Sequence, residues 1–226
     1  MSLLTPLLRT HALTDFFSDK QSVQGMLDFE AALATAQAQC GVIPASAVKP
    51  IVDACRAETL DFTALANAAA NAGNLAIPLV KQLTQNVKKQ DMDAARYVHW
   101  GATSQDAIDT GMILQLRSAL DETERRLQQL VQVLAEQVVC HQHTLMPGRT
   151  WLQHALPITF GLKLAGTLDA LLRWQQRLRE MRPRVLALQF GGAAGTLASL
   201  KMAGPEVAQH LAVTLNLTLP DTPWHS

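Results

Sequence analysis

Two short stretches of this chain gather more hydrogen-bonding and titratable side chains than a plain helix connection needs. The first is "HWGATSQD", His99 to Asp106. Thr103 and Ser104 fall where a long helical pattern begins, and a Ser or Thr there caps exposed backbone N–H groups. The same helix N-terminus carries a partial positive charge and free donors, which suits a carboxylate ligand. A cap requires neither His99 nor Gln105, so these two mark the stretch as a binding candidate, and Gly101 permits a close approach of backbone or ligand. The second stretch is "GRTWLQHALP", Gly148 to Pro157. Placing Pro157 in the first turn of the following helix leaves residues 149–154 as an extended loop. Alternation would then put Arg149, Trp151 and Gln153 on one side and Thr150 and His154 on the other. Arg149 offers a planar fork for a carboxylate. The simpler alternative is a helix connection with Trp151 buried against the bundle.

Other candidates are weaker. "GGAAGT", Gly191 to Thr196, follows an apolar run but lacks the GxGxxG spacing and the acidic residue of a dinucleotide loop. It reads as a tight loop against a ligand or a helix. His141 and His143 are two apart, do not share a helix face, and suit a surface or capping role better than metal binding. Lys81, Lys88 and Lys89 form a solvated face. Cys40, Cys55 and Cys140 are far apart in sequence, which argues against a disulfide framework or a local zinc motif and for free thiols.

Composition narrows the partners. The 226 residues are 48% hydrophobic and 17% charged, with 19 basic and 19 acidic side chains. A neutral chain is not a typical nucleic-acid binder, and one this apolar is not disordered. Any anion site must therefore be built locally by a few residues. The opening "MSLLTPLLRTHAL" has too short an apolar run for a signal peptide, and no segment reaches the length of a membrane span.

The elements that must position these stretches are helices. Helical spacing covers Val23 to Gln39, stopped by Gly41 and Pro44, then about 45–57 and 61–72, and a segment after Gly73 with Pro78 in its first turn or kinking it. A much longer pattern runs from Ser104 to about Gln142, roughly 55–60 Å at 1.5 Å per residue. A second runs from about Leu156 to Arg182, ended by Pro183, and a last helix spans about Pro205 to Leu217. No strand-rich region, repeat or low-complexity tract is evident. The fold class is all-α: an N-terminal helical domain over 1–103, then part of a long-helix bundle over 104–226. The two long helices need more partners for their apolar stripes than this chain supplies, so it is expected to be the front of a longer protein or to rely on other subunits.

These residues carry a family resemblance. "HWGATSQDAIDTG" and "GRTWLQHALP" resemble the first two signature regions of the fumarase/aspartase superfamily. "FSDKQSVQGMLDFEAALATAQAQCGVIP", "AGNLAIPLVKQL" and "FGGAAGTLASL" look like its carboxymuconate-cycloisomerase branch, and the resemblance covers essentially the whole chain in order. One departure is informative. Lyases of the superfamily usually read Gly-Arg-Thr-His in the second region, and that His helps acid–base catalysis; here the position is Trp151. Such a group typically supplies about 10²–10⁴ in rate, which a lyase of the usual type could hardly give up. The bacterial cycloisomerases are similar in carrying Trp there. The third signature, a mobile Gly-Ser-Ser loop, and the C-terminal parts of the fold are not within these residues, which leaves the activity of the fragment alone open.

The resemblance implies lactonisation of 3-carboxy-cis,cis-muconate in protocatechuate breakdown, with no metal and no organic cofactor, in a cytoplasmic homotetramer whose active sites are shared between subunits. The substrate is a small tricarboxylate, and neither nucleic acid nor membrane is a partner. The roles implied are Thr103 and Ser104 for carboxylate binding with the helix N-terminus, and Arg149 and Gln153 for a second carboxylate. His99 and His154 serve charge stabilisation or proton delivery, with Ser104 beside them. Trp151 walls and dries the pocket, and Gln105, Asn74, Thr196 and Lys201 are further contacts. The competing readings are an adenylosuccinate-lyase-like enzyme releasing fumarate, and a non-catalytic helical scaffold.

Overall fold

A computed structural model of the chain describes residues 11–225. The opening apolar stretch considered against a signal peptide lies largely outside the described residues. After a short turn at His11–Thr14, helix α1 spans Asp19–Gln39. Ser18 caps it by accepting the Gln21 N–H. Helices α2 (Ala45–Ala54), α3 (Phe62–Ala72) and α4 (Ala76–Gln90) follow. Asp61 caps α3, and Gly73 ends it in the left-handed conformation a C-cap requires, at φ 78°. Pro78 lies in the first turn of α4, where its missing N–H costs nothing. Long helix α5 covers Ser104–Cys140 and α6 covers Phe160–Val185; α7, Gly204–Leu215, completes the set. Among the described residues the fold is all-α with one small hairpin, β1 (Leu145–Thr150) paired to β2 (Gln153–Thr159). Among the described residues, no helix is long and apolar enough to cross a membrane.

The chain divides into two compact units, one combining residues up to Ser118 with those from Pro183 onward, the other Ala119–Arg182. The first has a conventional core. Leu27, Phe29 and Leu33 of α1, Ile51, Leu65, Leu79, Leu83, Leu188 and Leu211 are all essentially buried. Phe29 meets Phe190 with ring centroids 6.2 Å apart, and Leu188 N–H donates to Thr218 O, which ties the segment after α6 into this core. Helices α1 and α5 cross at a glycine pair. A Cβ on Gly25 would lie 2.6 Å from Gly111 O, and one on Gly111 would lie 2.8 Å from Met26 N, so neither position accepts a side chain.

The second unit is built differently. Its helical parts are joined by Arg182 to Asp121, by Arg179 to Glu124 at 3.3 Å, and by Gly161 packed on Val138 O and His141 O. His141 stacks edge-on against Phe160 at 4.9 Å, and its Nδ1 lies 3.1 Å from the Thr144 hydroxyl. Yet no large apolar side chain within 119–182 is buried. Leu130, Val133, Val139, Leu162 and Trp174 are about half exposed or more.

Candidate active site

Around His99 the backbone makes two left-handed steps, His99 at φ 59° and Gly101 at φ 73°, before α5 begins. Two polar groups of α1 hold this bend from below. Gln37 Nε2 donates to Trp100 O at 2.6 Å. His99 Nδ1 lies 2.5 Å from Glu30 Oε1, and Glu30 is only 1% exposed. An ionised carboxylate can only accept, so Glu30 fixes a proton on Nδ1. Burial works against a charged imidazole, but the Glu30 hydrogen bond, its charge and that of Asp106 outweigh it. The His99 pKa is therefore held above the ordinary histidine value. His99 is thereby biased toward its protonated, donating form relative to a free imidazole.

Asp106 organises the next layer. It is fully buried and accepts four hydrogen bonds. Oδ2 takes Thr103 N–H at 3.0 Å and Gly192 N–H at 2.9 Å. Oδ1 takes Gly191 N–H at 2.9 Å and Gln189 Nε2 at 3.0 Å. One carboxylate thereby closes the N-terminus of α5 and pins the Gly-rich loop to it. Gln189 is held in turn by Thr110, whose hydroxyl donates to Gln189 O and accepts Gln189 N–H. The loop must run close. A Cβ on Gly192, at φ 67°, would lie 3.1 Å from Gly101 O, and one on Gly101 would collide with Leu200. "GGAAGT" is thus a tight loop against a helix end, as its composition suggests.

The second stretch departs from expectation. Residues 149–154 are not an extended loop; they form the tip of a β-hairpin, and Pro157 lies in β2, with α6 starting three residues later at Phe160. Arg149 pairs with His154, and Thr150 with Gln153. Cross-strand partners share a face, so Arg149 goes with His154 rather than with Trp151 and Gln153. The reason is a two-residue turn: Trp151 at φ 50° and Leu152 at φ 63° both take the left-handed geometry that matches strand twist. A bulge in β2, where Ala155 and Leu156 together stand opposite Gly148, shifts the register, and Pro147 stands opposite Pro157, tolerable because a two-stranded hairpin has only edges. Trp151 is 96% exposed in this chain, so it is not buried against its own helices. Pro183 likewise lies inside the last turn of α6 instead of beyond it.

The remaining candidates scatter within the first unit. Ser104 is half-buried at the start of α5, and Gln105 is exposed and donates to Asp109 at 2.6 Å. Asn74 Oδ1 accepts Ile77 N–H at 3.1 Å and so caps α4. Thr196 lines a cavity of about 280 Å³ with Leu188, Phe190, Pro205 and the segment 219–223; His99, Thr103 and Ser104 are not among its lining residues. Lys201 is exposed, with a left-handed φ of 52°. Arg149, Gln153 and His154 are exposed and belong to the other unit. Sequence reasoning missed Glu30, Asp106 and Gln189. Asp106 had a signal, since "TSQD" is a Thr-x-x-Asp pattern ahead of an apolar run. Glu30 also had one, a carboxylate among Phe29, Leu33 and Ala34 on an otherwise apolar face.

With this geometry in place, comparison decides the family. A family model described as Lyase matches residues 8–225. The chain belongs to this lyase family. Among its relatives, a 3-carboxy-cis,cis-muconate cycloisomerase of Pseudomonas aeruginosa is 60% identical over 210 residues, covering 93% of this chain and 46% of that protein. One of the same name from Bradyrhizobium diazoefficiens is 55% identical, covering 99% and 50%. The crystal structure of 3-carboxy-cis,cis-muconate lactonizing enzyme from Pseudomonas putida superposes with a TM-score of 0.93 at 55% identity, covering 99% of this chain and 51% of that one. The chain spans about half the length of the curated relatives it matches. As a lyase-family segment it carries one densely bonded cluster, His99 to Asp106 with Gly191 and Gly192, and one exposed hairpin.

Proposed function

We propose that these residues are the N-terminal part of a 3-carboxy-cis,cis-muconate cycloisomerase, which closes a substrate carboxylate onto a conjugated double bond to give a carboxymuconolactone. The observation that carries this reading is Trp151 at the tip of the hairpin, in relatives' company of 49–60% identity that bear that enzyme name. An indole cannot serve as the general acid–base group of a fumarate-releasing lyase. In ring closure the carboxylate oxygen adds to carbon, charge accumulates on the conjugated carboxylate, and a proton is delivered to carbon. The substrate is a trianion, so preorganised donors matter most. Thr103, Ser104 and the α5 N-terminus receive one carboxylate, and His99, oriented by Glu30, stabilises developing charge or delivers a proton beside them. Arg149, with His154 on the same hairpin face, holds another carboxylate. Gln153 and Gln105 support them, and Asn74, Thr196 and Lys201 border the site. Trp151 walls it against water.

Residues 1–103 then act as the N-terminal domain and 104–226 as the first part of the bundle, in a cytoplasmic homotetramer whose subunits share active sites. The bare apolar side chains of the second unit support that assembly, because roughly 25 cal/mol per Å² is forfeited while they face water. In the full-length enzyme, Arg149→Ala should lower kcat/KM for 3-carboxy-cis,cis-muconate at least tenfold with little change in Tm. An unchanged kcat/KM removes Arg149 from the site.

A further inference from the structure

Away from the lyase-family motifs, three side chains of metal-ligating type converge where the end of α1 meets the first turns of α7. Cys40 is the C-cap residue of α1. Glu206 and His210 lie four apart on α7 and so share one face of that helix. One ligand atom from each, Cys40 Sγ, a Glu206 carboxylate oxygen and a His210 ring nitrogen, lies within 4.8 Å of the other two. We propose that Cys40, Glu206 and His210 form a surface binding site for a borderline transition-metal dication, with zinc the best match.

Several observations favour that ligand. A thiolate, an imidazole and a carboxylate are the donor types zinc takes, whereas magnesium and calcium take oxygen alone. Bond lengths of about 2.0–2.3 Å around zinc need ligand atoms roughly 3.5 Å apart, a small side-chain rotation from the present spacing. Among the described residues, no hydrogen bond or ion pair engages these three side-chain groups, so binding breaks nothing. Cys40 and His210 are partly exposed and Glu206 is exposed, which leaves a path for entry and a fourth position for water or a further ligand. The metal-binding form of cysteine is the thiolate, so binding displaces the thiol proton. Sequence spacing hides the site, because Cys40 has no ligating neighbour within its own segment. The metal would clip two helices of the first unit together and has no part in the proposed lactonisation.

The test is titration of the full chain with Zn²⁺ by calorimetry and with Co²⁺ by absorbance. One Zn²⁺ per chain is expected, with proton release and a rise in Tm. Co²⁺ should give a near-ultraviolet sulfur-to-cobalt band. Cys40→Ser should abolish that band, Cys40→Ser and His210→Gln should each weaken Zn²⁺ binding at least tenfold, and Cys140→Ser should change neither. His210 is partly exposed on a helix, so its variant keeps the proposal testable even if Cys40→Ser perturbs the cap. Absence of stoichiometric binding, a cobalt spectrum without the sulfur band, or affinity indifferent to His210→Gln would each overturn the site.

Discussion

The cluster at the start of α5 and the β1–β2 hairpin carry the same kinds of residue but are held in opposite ways. Asp106 receives all four of its hydrogen bonds from this chain, and Glu30 anchors His99 from within the same unit. The hairpin owes little to its surroundings: Leu145, Trp151, Leu152 and Leu156 are each more than three-quarters exposed. A polar group can be satisfied internally by a few well-placed donors. An exposed tryptophan requires apolar area to cover it, and the second unit does not supply it. The first region is satisfied within its own unit, and the second leaves its apolar side chains bare.

The contrast can be broken most forcefully at Asp106. Asp106→Asn puts an amide N–H₂ among donors that need an acceptor, and about 3 kcal/mol or more should be lost in chemical denaturation. A loss under about 1 kcal/mol would mean the cluster is not held as described. Next comes the glycine crossing, where Gly111→Val forces α1 away from α5 and should cost about 1–3 kcal/mol.

A smaller effect, visible in its pH dependence, belongs to His99. Because its folded pKa lies above the ordinary value near 6.5, its stabilisation is fully present below that value and fades as pH rises through the folded pKa. The Tm gap between the native chain and His99→Gln should therefore narrow from mildly acidic to alkaline pH; a widening gap contradicts a raised His99 pKa. The smallest effect is expected at the hairpin tip. Leu152→Gly removes a left-handed penalty while adding chain entropy, so stability should stay within about 1 kcal/mol of native, on the favourable side. A larger loss would show the tip to be internally supported after all.

How far the sequence could be read follows the same divide. Helical periodicity located every long helix to within a few residues, because apolar residues three or four apart mark one helix face whether or not this chain covers it. The hairpin escaped because its turn is Trp-Leu rather than Asn-Gly, and because Pro157 reads more naturally as a helix start. The candidate residues that stand in local motifs, Thr103, Ser104 and Arg149, were visible. Gln189 was not, since its role depends on partners far along the chain, and Glu30 left only the mark of a carboxylate on an apolar face, with nothing local to name His99 as its partner.

That distance has a consequence for the order of events during synthesis. Asp106 and the Gly191 N–H it needs are 85 residues apart. At about 5–20 residues per second, a ribosome takes roughly 4–17 s to cover that interval. Throughout it the emerging α5 terminus carries a carboxylate with only its own Thr103 N–H to accept. The first unit can lock only after the whole of Ala119–Arg182 has been made, so its closing step is paced by translation of the segment that belongs to the other unit.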